Sequence, residues 1–323
     1  MNRPVALMAA LVFTAISISS ACIAKPGMPL SFALHSNSGR NDVQLTLRKS
    51  GSGRDQGSMS SGFAPRDLQG LDLAAVRQPG QHPVRFAWLR EPGRVDCAGS
   101  GGNSVASGRC EFSEDTTFSD FLAAHAIGRP TPEQAYELTV TGATRDLVNA
   151  LAQYRLPKPT IDKLVELSAV GVDRRLITGL AAHGFVLRSL DELTEFAALD
   201  VTPEYIQALE RAGYRGLPGS QIVALKAVGV DPDFIGRLSA AGYRNLSAEQ
   251  LVQMAALKID PAYINSFARI GFADLPVETL VQLKALDVTP EFVRDLQTRG
   301  LHPTSADQIV QLKAIGFGGR NKR

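Results

Sequence analysis

The segment VTPEYIQALERAGY, residues 201–214, decides the fold because four other segments repeat its pattern at a fixed interval. These are VDRRLITGLAAHGF (172–185), VDPDFIGRLSAAGY (230–243), IDPAYINSFARIGF (259–272) and VTPEFVRDLQTRGL (288–301). Each follows the previous one by 29 residues, with no insertion. A strict period of this length predicts a tandem array in which each repeat is one supersecondary unit.

Each repeat begins with a helix signature. In the quoted segment Thr202 can cap free backbone N–H groups, and Pro203 suits the first helical position because it has no N–H to lose. Ile206 and Leu209 then follow at helical spacing. Gly213 ends the helix, where a left-handed residue is needed. The segment therefore predicts a short amphipathic helix.

A second helix signature follows after a short turn. Ser247 and Gln250 have the spacing of a capping box, and Leu246 with Leu251 fits a hydrophobic staple. The same box occurs as Ser189 with Glu192 and as Ser305 with Gln308. Lys258 stands where other units end this helix with Gly or Asp, which predicts a weaker cap there. Two short helices per unit must bury their apolar faces against neighbouring units, so the array is predicted to be a solenoid.

Fainter repeats precede the five clear ones. They keep the helical pattern, although Ala126 and Arg155 replace the terminal glycine. Terminal units of an array are expected to diverge because they cap the stack. The sequence therefore predicts about seven helical hairpins over residues 115–316, followed by a basic tail at residues 317–323.

Residues 25–114 have a different pattern. Three segments alternate apolar with other residues at period two: Leu30–Leu34, Val43–Leu47 and Val84–Trp88. This alternation predicts half-buried strands. Runs rich in glycine and serine, Lys49–Gly62 and Gly99–Gly108, separate the strands. We expect an α+β protein in which a small antiparallel β module precedes an all-α solenoid of helical hairpins.

Cys97 and Cys110 form an even pair in the expected mature chain, and they lie 13 residues apart. A redox-active pair normally has the tighter C-x-x-C spacing, so we favour a structural disulfide. It would join the two strands of a hairpin, Val95–Ala98 and Arg109–Phe112.

Residues 1–24 are predicted to be a signal peptide. Arg3 supplies a positive charge ahead of the apolar stretch Val5–Ile18, which is too short for a membrane span. Cleavage after Ala24 is one interpretation. Lipidation of Cys22 in a lipoprotein-like box is the other. Either way the protein is expected to be exported to the periplasm or outside the cell, with no transmembrane segment in the mature chain and a lipid anchor only in the second case.

The sequence gives little support for nucleic-acid binding, metal binding or catalysis by this chain. A net charge of +2 on 323 residues argues against a nucleic-acid partner, although the helix–turn–helix units superficially resemble helix-hairpin-helix modules. None of the five histidines has metal-pair spacing. The segment Gly99–Ser104 is glycine-rich, but a turn explains it better than a phosphate loop. We predict no catalytic, cofactor-binding or metal-binding residues and no cofactor.

Two aromatic ladders run along the repeats. The first ladder is Tyr205, Phe234, Tyr263 and Phe292, and the second ladder is Phe185, Tyr214, Tyr243 and Phe272. They could stack a ligand or grip a peptide, but packing of each ring at the same joint of its unit is the favoured interpretation. Lys226, Lys284 and Lys313 recur in the last turn of the second helix, where they would complement the helix dipole.

The repeat pattern V-T/D-P-E/D-F/Y-x-x-x-L-x-x-x-G-Y/F, followed by L-x-x-x-x-L-V-x-L, resembles a bacterial repeat. That repeat occurs in exported proteins and at the extracytoplasmic ends of some BlaR-type membrane metallopeptidases, often after a small β-rich segment. The resemblance implies a sensor-like or scaffold-like part at the cell envelope. It implies no peptidase activity, since the peptidase domain and its zinc motif are not in this sequence.

The leading hypothesis is a non-enzymatic exported scaffold that binds a protein or peptide by its shape over several units. The alternative is a passive structural protein of the envelope. A hydrolase with an unrecognised site is a third hypothesis. The sequence names no partner and no oligomeric state.

Overall fold

The computed structural model describes residues 27–37, 42–49 and 57–317. It confirms the α+β class, with an antiparallel sheet followed by an array of helices. The expected signal peptide, the possible lipidation site at Cys22 and residues 318–323 of the basic tail lie outside the described residues.

The amino-terminal part is one seven-stranded antiparallel sheet. Its strands are β1 (Met28–Ser36), β2 (Val43–Lys49), β3 (Ser58–Phe63), β4 (Leu68–Gln69), β5 (His82–Arg90), β6 (Gly93–Gly102) and β7 (Val105–Glu114). They lie in the order β3-β2-β1-β7-β6-β5-β4. A short helix, α1 (Leu73–Arg77), follows β4 and buries Val76 completely.

The sheet curls around its own apolar face. Phe63 of β3 and Trp88 of β5, which belong to opposite halves of the sheet, meet edge to face with ring centroids 5.2 Å apart. Phe32 and Phe86 make a similar contact at 5.1 Å. The alternation seen in the sequence therefore places one side of each strand in a common core.

The prediction that the two glycine-rich runs only separate strands was wrong. The first contains strand β3, whose polar residues pair with β2 from Val43 opposite Phe63 onward. The second belongs almost entirely to β6 and β7, and the turn is only Asn103–Ser104, both with positive φ. These segments form strands because they pair with a neighbouring strand, which their composition alone did not indicate.

Glycine in the second run allows the close approach of β6 and β7. Gly99 lies directly opposite Gly108. A Cβ added to Gly108 would lie 2.6 Å from the Gly99 Cα, and one added to Gly99 would lie 2.8 Å from the Gly108 Cα. No larger residue fits at either position without moving a strand, so glycine is needed where the two backbones approach each other.

The expected disulfide lies on the same strand pair. Cys97 and Cys110 are directly opposite each other, with Cα atoms 4.1 Å and sulfur atoms 1.97 Å apart. Both side chains are buried in the sheet core.

The helical array follows the sheet without a linker. Glu114 ends β7, and Asp115 caps the next helix by accepting bonds from the Thr117 and Phe118 amides. Tyr136 packs edge to face on Phe112 of the sheet, with centroids 5.5 Å apart. The sheet therefore covers the amino-terminal end of the array.

The described part of the array contains fourteen helices. They are α2 (Thr116–Ala124), α3 (Pro132–Thr141), α4 (Arg145–Gln153), α5 (Ile161–Ala169), α6 (Arg174–Ala182), α7 (Leu190–Ala198), α8 (Pro203–Arg211), α9 (Gly219–Ala227), α10 (Pro232–Ala240), α11 (Ala248–Ala256), α12 (Pro261–Ala268), α13 (Val277–Ala285), α14 (Pro290–Thr298) and α15 (Ala306–Ala314).

We number the helix pairs as units one to seven, so that unit three begins at Val172 and unit four at Val201. Helices in equivalent positions start 29 residues apart throughout, including the faint leading units. The second helices form one continuous row in which each contacts the next, from α3 to α15. The buried stripes of both rows make the core.

The turn after each helix has the same left-handed backbone conformation in every unit. Ala126, Arg155, Asp200, Lys258 and Asp287 all adopt positive φ, as the glycines do at equivalent positions. The turn at Lys258 is therefore formed in the same geometry, even though a non-glycine residue is less favourable there. The predicted capping box of Ser247 and Gln250 is complete, whereas Ser189 and Ser305 accept the amide bond of their helix but receive no reciprocal bond from the Glu192 or Gln308 side chain. Stacking thus imposes the turn where local preference is weak.

The disulfide should stabilise the β module measurably. In the Cys97→Ala/Cys110→Ala variant we expect the free energy of unfolding to fall by about 3 kcal/mol, because the unfolded chain loses a covalent constraint. Urea denaturation of the oxidised proteins would measure this difference. Adding a reductant should weaken the wild-type protein and leave the variant unchanged; equal stability of oxidised wild type and variant would contradict the expectation.

Candidate functional site

The tyrosines of both aromatic ladders join consecutive units. Their hydroxyls donate hydrogen bonds to backbone carbonyls of the following unit: Tyr205 to Val230 (2.8 Å), Tyr214 to Leu246 (2.9 Å), Tyr243 to Leu275 (2.7 Å) and Tyr263 to Val288 (3.2 Å). In each case the acceptor directly precedes the cap residue of a helix. We call these contacts tyrosine bonds. They support the packing interpretation of the ladders.

The recurring lysines lie over the rings of the first ladder. The Nζ atom is 4.6 Å from the ring centroid in the pair Lys226–Tyr205, 4.3 Å in Lys284–Tyr263 and 4.7 Å in Lys313–Phe292. Complementation of the helix dipole therefore does not fully explain why these lysines recur. A cation–π contact also holds each lysine to the first helix of its own unit. The constant spacing of 21 residues between ring and lysine was the sequence signal for this contact.

Tyrosine bonds are unevenly distributed along the array. The joint between units four and five has two, and the next two joints have one each. The first three joints have none, because their ladder positions hold residues without a hydroxyl; at the joint between units three and four these are Leu176 and Phe185. Phe185 instead packs on Phe196 within its own unit, with centroids 5.2 Å apart.

Polar contacts between second helices are also different at this joint. At three other joints, between units one and two, two and three, and five and six, the third residue of one second helix bonds the second residue of the next, as Gln134 does with Asp162 and Gln250 with Glu278. The equivalent residue in unit three is Glu192, which accepts a bond from the Arg188 amide inside its own unit. Unit four is thus attached to unit three mainly by apolar packing.

A cleft of about 520 Å³ opens at this joint, beside the turn of unit three. Its apolar wall includes Phe185, Val186 and Leu217. Val186 is 67% exposed and is one of five exposed large apolar residues in the described part of the chain. Arg188 and Glu210 line the cleft as well, so charges of both signs flank the apolar wall.

The start of α9 shapes the floor of the cleft. The cap position is Pro218, which has no side-chain hydrogen bond to the helix. Gly219 follows, and the Glu192 carboxylate lies so close that a side chain at Gly219 would overlap with it. Glycine at this position therefore leaves room for the Glu192 carboxylate beside the start of α9.

The same joint has a second cleft of about 530 Å³. Leu176, His183 and Glu204 are among its lining residues. Pro203 packs against Gly179 in this cleft, where an added Cβ would lie 2.6 Å from the proline ring. The two clefts share His183, while buried apolar side chains of both units form one continuous core beneath them.

The residues considered for metal or phosphate binding do not form a common site. His82 and His125 contact backbone carbonyls of Pro79 and Phe121 at 3.0 and 2.8 Å. Within the described ranges, no three His, Cys, Asp or Glu side chains are grouped as a metal site. Gly99–Ser104 forms part of a hairpin and is not followed by a helix, unlike a phosphate-binding loop.

Comparison with known proteins gives no relative from which a function could be transferred. No protein-family model matches the chain, and no curated protein matches it significantly. No helix in the described part of the chain is both long and apolar enough to cross a membrane.

Each tyrosine bond should contribute to stability. In Tyr243→Phe, the joint between units five and six loses its hydroxyl and the Leu275 carbonyl loses its partner, so we expect a loss of about 1 kcal/mol. Thermal or urea denaturation would measure it. Tyr154→Phe, which lies outside both ladders, is the control and should change stability by less than about 0.5 kcal/mol. An equal effect of the two substitutions would contradict the role assigned to Tyr243.

The same contacts predict alkaline sensitivity. Burial, and secondarily the Asp231 carboxylate, raises the pKa of Tyr205 to about 12 from an ordinary value of 10.0. The folded protein then holds the phenolic proton more tightly than the unfolded chain does. This stabilisation is complete below pH 10 and is lost as the pH rises towards about 12.

We therefore expect Tyr205→Phe to show a shallower fall in unfolding free energy over this pH interval than the wild-type protein. Denaturation at a series of pH values would measure the slope. Phe234→Leu, which changes the equivalent ladder position without an ionisable group, should keep the wild-type slope. An unchanged slope in Tyr205→Phe would contradict the expectation.

Proposed function

We propose that the chain is a non-enzymatic exported repeat protein that binds a protein or peptide segment at the cleft between units three and four. The observation that carries this proposal is the exposed apolar wall around Val186 at a joint without tyrosine bonds. A volume of about 520 Å³ falls in the range of ligand-binding pockets.

The lining of the cleft suggests the chemistry of the ligand. Phe185, Val186 and Leu217 offer contact to an apolar side chain, and Arg188 and Glu210 offer charge-assisted hydrogen bonds at either side. An extended peptide with one apolar anchor between polar residues satisfies both. Binding of a second peptide region along the neighbouring turns would give recognition by shape over several units.

Val186 is also distinctive when the units are compared with one another. The equivalent positions hold Arg215, Arg244 and Ala273 in the next three units. The apolar branched side chain is thus specific to unit three among these, and it occurs at the joint that is open. This coincidence favours a local binding site over a uniform spacer.

The proposed location is the cell envelope. The buried Cys97–Cys110 disulfide is consistent with an oxidising compartment outside the cytoplasm. The signal peptide at residues 1–24 and the resemblance to repeats of BlaR-type sensors support the same proposal. A passive structural role in the envelope is the alternative, since regular stacking alone would serve it.

Substitution at Val186 would test the proposal. A random-peptide display library is panned on the mature protein, and the affinities of recovered peptides are measured by calorimetry. Val186→Arg installs the residue that units four and five carry at this position, so the fold should be retained. We expect peptide affinity to fall about 100-fold through loss of the apolar contact and electrostatic mismatch.

Ala273→Arg introduces the same side chain at the equivalent position of unit six and is the matched control. Its peptide affinity should equal that of the wild-type protein. Recovery of no binding peptide, or equal weakening by both substitutions, would refute the proposed site.

Removal of a whole unit would distinguish a peptide-binding protein from a passive spacer. Deletion of residues 201–229 removes one wall of the cleft, whereas deletion of residues 230–258 leaves both walls in place; both keep the 29-residue period. A binding site predicts loss of peptide binding in the first variant alone. A spacer predicts equal tolerance of both deletions, measured by growth of cells under envelope stress.

A further inference from the structure

A smaller cleft with the same construction as the cleft beside Val186 opens at the joint between units one and two. It has a volume of about 260 Å³ and is lined by residues of α4 and of the turns after α2 and α4, among them His125, Ile127, Leu151 and Lys158. We call it the leading cleft. Apart from Pro157, each of its lining residues has a counterpart two repeat periods later that lines the cleft beside Val186.

The correspondence places both clefts on one edge of the array. Ile127 of the leading cleft is equivalent to Phe185, and Leu151 is equivalent to Leu209. His125 and His183 are equivalent as well, and each is the C-cap residue of the first helix in its unit. No other unit has a histidine at this position of its sequence. The two clefts therefore share an apolar floor and a histidine at the rim.

The leading cleft differs from its counterpart in charge. Its ionisable lining residues are His125 and Lys158, and its described lining contains no Asp or Glu. The cleft beside Val186 carries Glu210 where the leading cleft has Ala152. The leading cleft therefore favours a ligand in which a negative charge lies next to an apolar group.

Both basic residues of the leading cleft are held in place. The His125 Nδ1–H donates to the Phe121 carbonyl at 2.8 Å, and the two rings stack with centroids 4.1 Å apart. The Nε2 atom of His125 is thus the one that remains for a ligand. Lys158 is exposed between Pro157 and Pro159, whose fixed φ angles restrict the turn that carries it.

The distance between the clefts matches a short extended segment. First helices of consecutive units are in contact, as α4 is with α6 and α6 with α8. Helices in contact lie about 8–10 Å apart, so clefts two units apart are separated by about 16–20 Å. Six residues of extended chain span about 20 Å, and side chains an even number of positions apart point to the same side.

We propose that one extended segment of a partner protein occupies both clefts, with two apolar side chains six residues apart and an acidic residue beside the one that enters the leading cleft. The inference rests on the proposed peptide binding at the cleft beside Val186 and defines the class of peptide. Joining the two contacts in one segment raises affinity because the second contact becomes intramolecular.

Peptide selection on the mature protein would test the spacing. A random peptide library, long enough to reach both clefts, is panned on the wild-type protein, and the recovered peptides are synthesised. We expect them to share two apolar positions six residues apart, with Asp or Glu beside one of them. Replacing either apolar residue by Ala should weaken binding about 10-fold or more, measured by calorimetry.

Substitutions in the leading cleft would test its occupancy. Ala152→Glu installs the residue that unit four carries as Glu210, at an exposed position, so the fold should be retained. Lys158→Glu reverses the charge of the exposed lysine. We expect each variant to bind the recovered peptides about 10-fold more weakly. Circular dichroism checks folding.

Arg244→Glu is the matched control. It makes the same charge reversal at an exposed position in the turn of unit five, outside both clefts. Its peptide affinity should stay within about twofold of the wild-type value.

Combining the two kinds of change assigns each apolar side chain to its cleft. In Ala152→Glu, the Ala replacement beside the acidic residue of the peptide should have little further effect, whereas the other replacement should keep its full effect. In Val186→Arg the two replacements should exchange roles. Such non-additivity is expected only of groups that are in contact.

The outcomes separate this inference from the proposed function. Peptides weakened by Val186→Arg but bound equally by wild type, Ala152→Glu and Lys158→Glu would overturn the two-cleft segment and leave the cleft beside Val186 as a binding site. Recovered peptides with one apolar anchor would do the same, as would equal weakening by Arg244→Glu and Lys158→Glu. Recovery of no peptide would overturn both.

Discussion

Burial of short apolar stripes between consecutive units is the interaction on which this structure depends. Most helices of the array are nine residues long, which is too short for stability in water without a partner. Each stripe therefore requires a neighbour at the correct height and angle, and a constant interval of 29 residues supplies one. The regular caps and left-handed turns serve that requirement, because an insertion in one unit would misplace the stripe of the next.

The candidate site lies where the additional connections between units are weakest. Tyrosine bonds join units four to seven, and Arg145 of unit two joins the array to Glu91 of the sheet at 3.0 Å. Units three and four share neither a tyrosine bond nor a hydrogen bond between their second helices, so apolar packing is their main connection, and two clefts open at this joint. A repeat protein that uses the same contacts at every joint has no such position, so local divergence from the repeat is a useful guide to function.

The β module has a structural role different from that of the helical array. Its sheet covers the first helices of the array, where helix α3 packs on β6 and β7 and Tyr136 lies on Phe112. The Gly99–Gly108 pair allows these two strands to approach closely, and the disulfide joins the same two strands.

The sequence alone was sufficient for the period, the helix boundaries, the number of units, the strands around Phe32 and Trp88, and the cysteine pair. These features depend on local preferences and on spacing, which one chain displays directly. Other features could not be predicted: strand β3, the partners of the tyrosine hydroxyls and the cleft beside Val186. Each of these depends on groups brought together by stacking or by strand pairing, so the distance between them exists only in the folded molecule. The repeat pattern determined what each unit is, whereas the tertiary structure determined which groups of neighbouring units meet and at which joint a cleft opens.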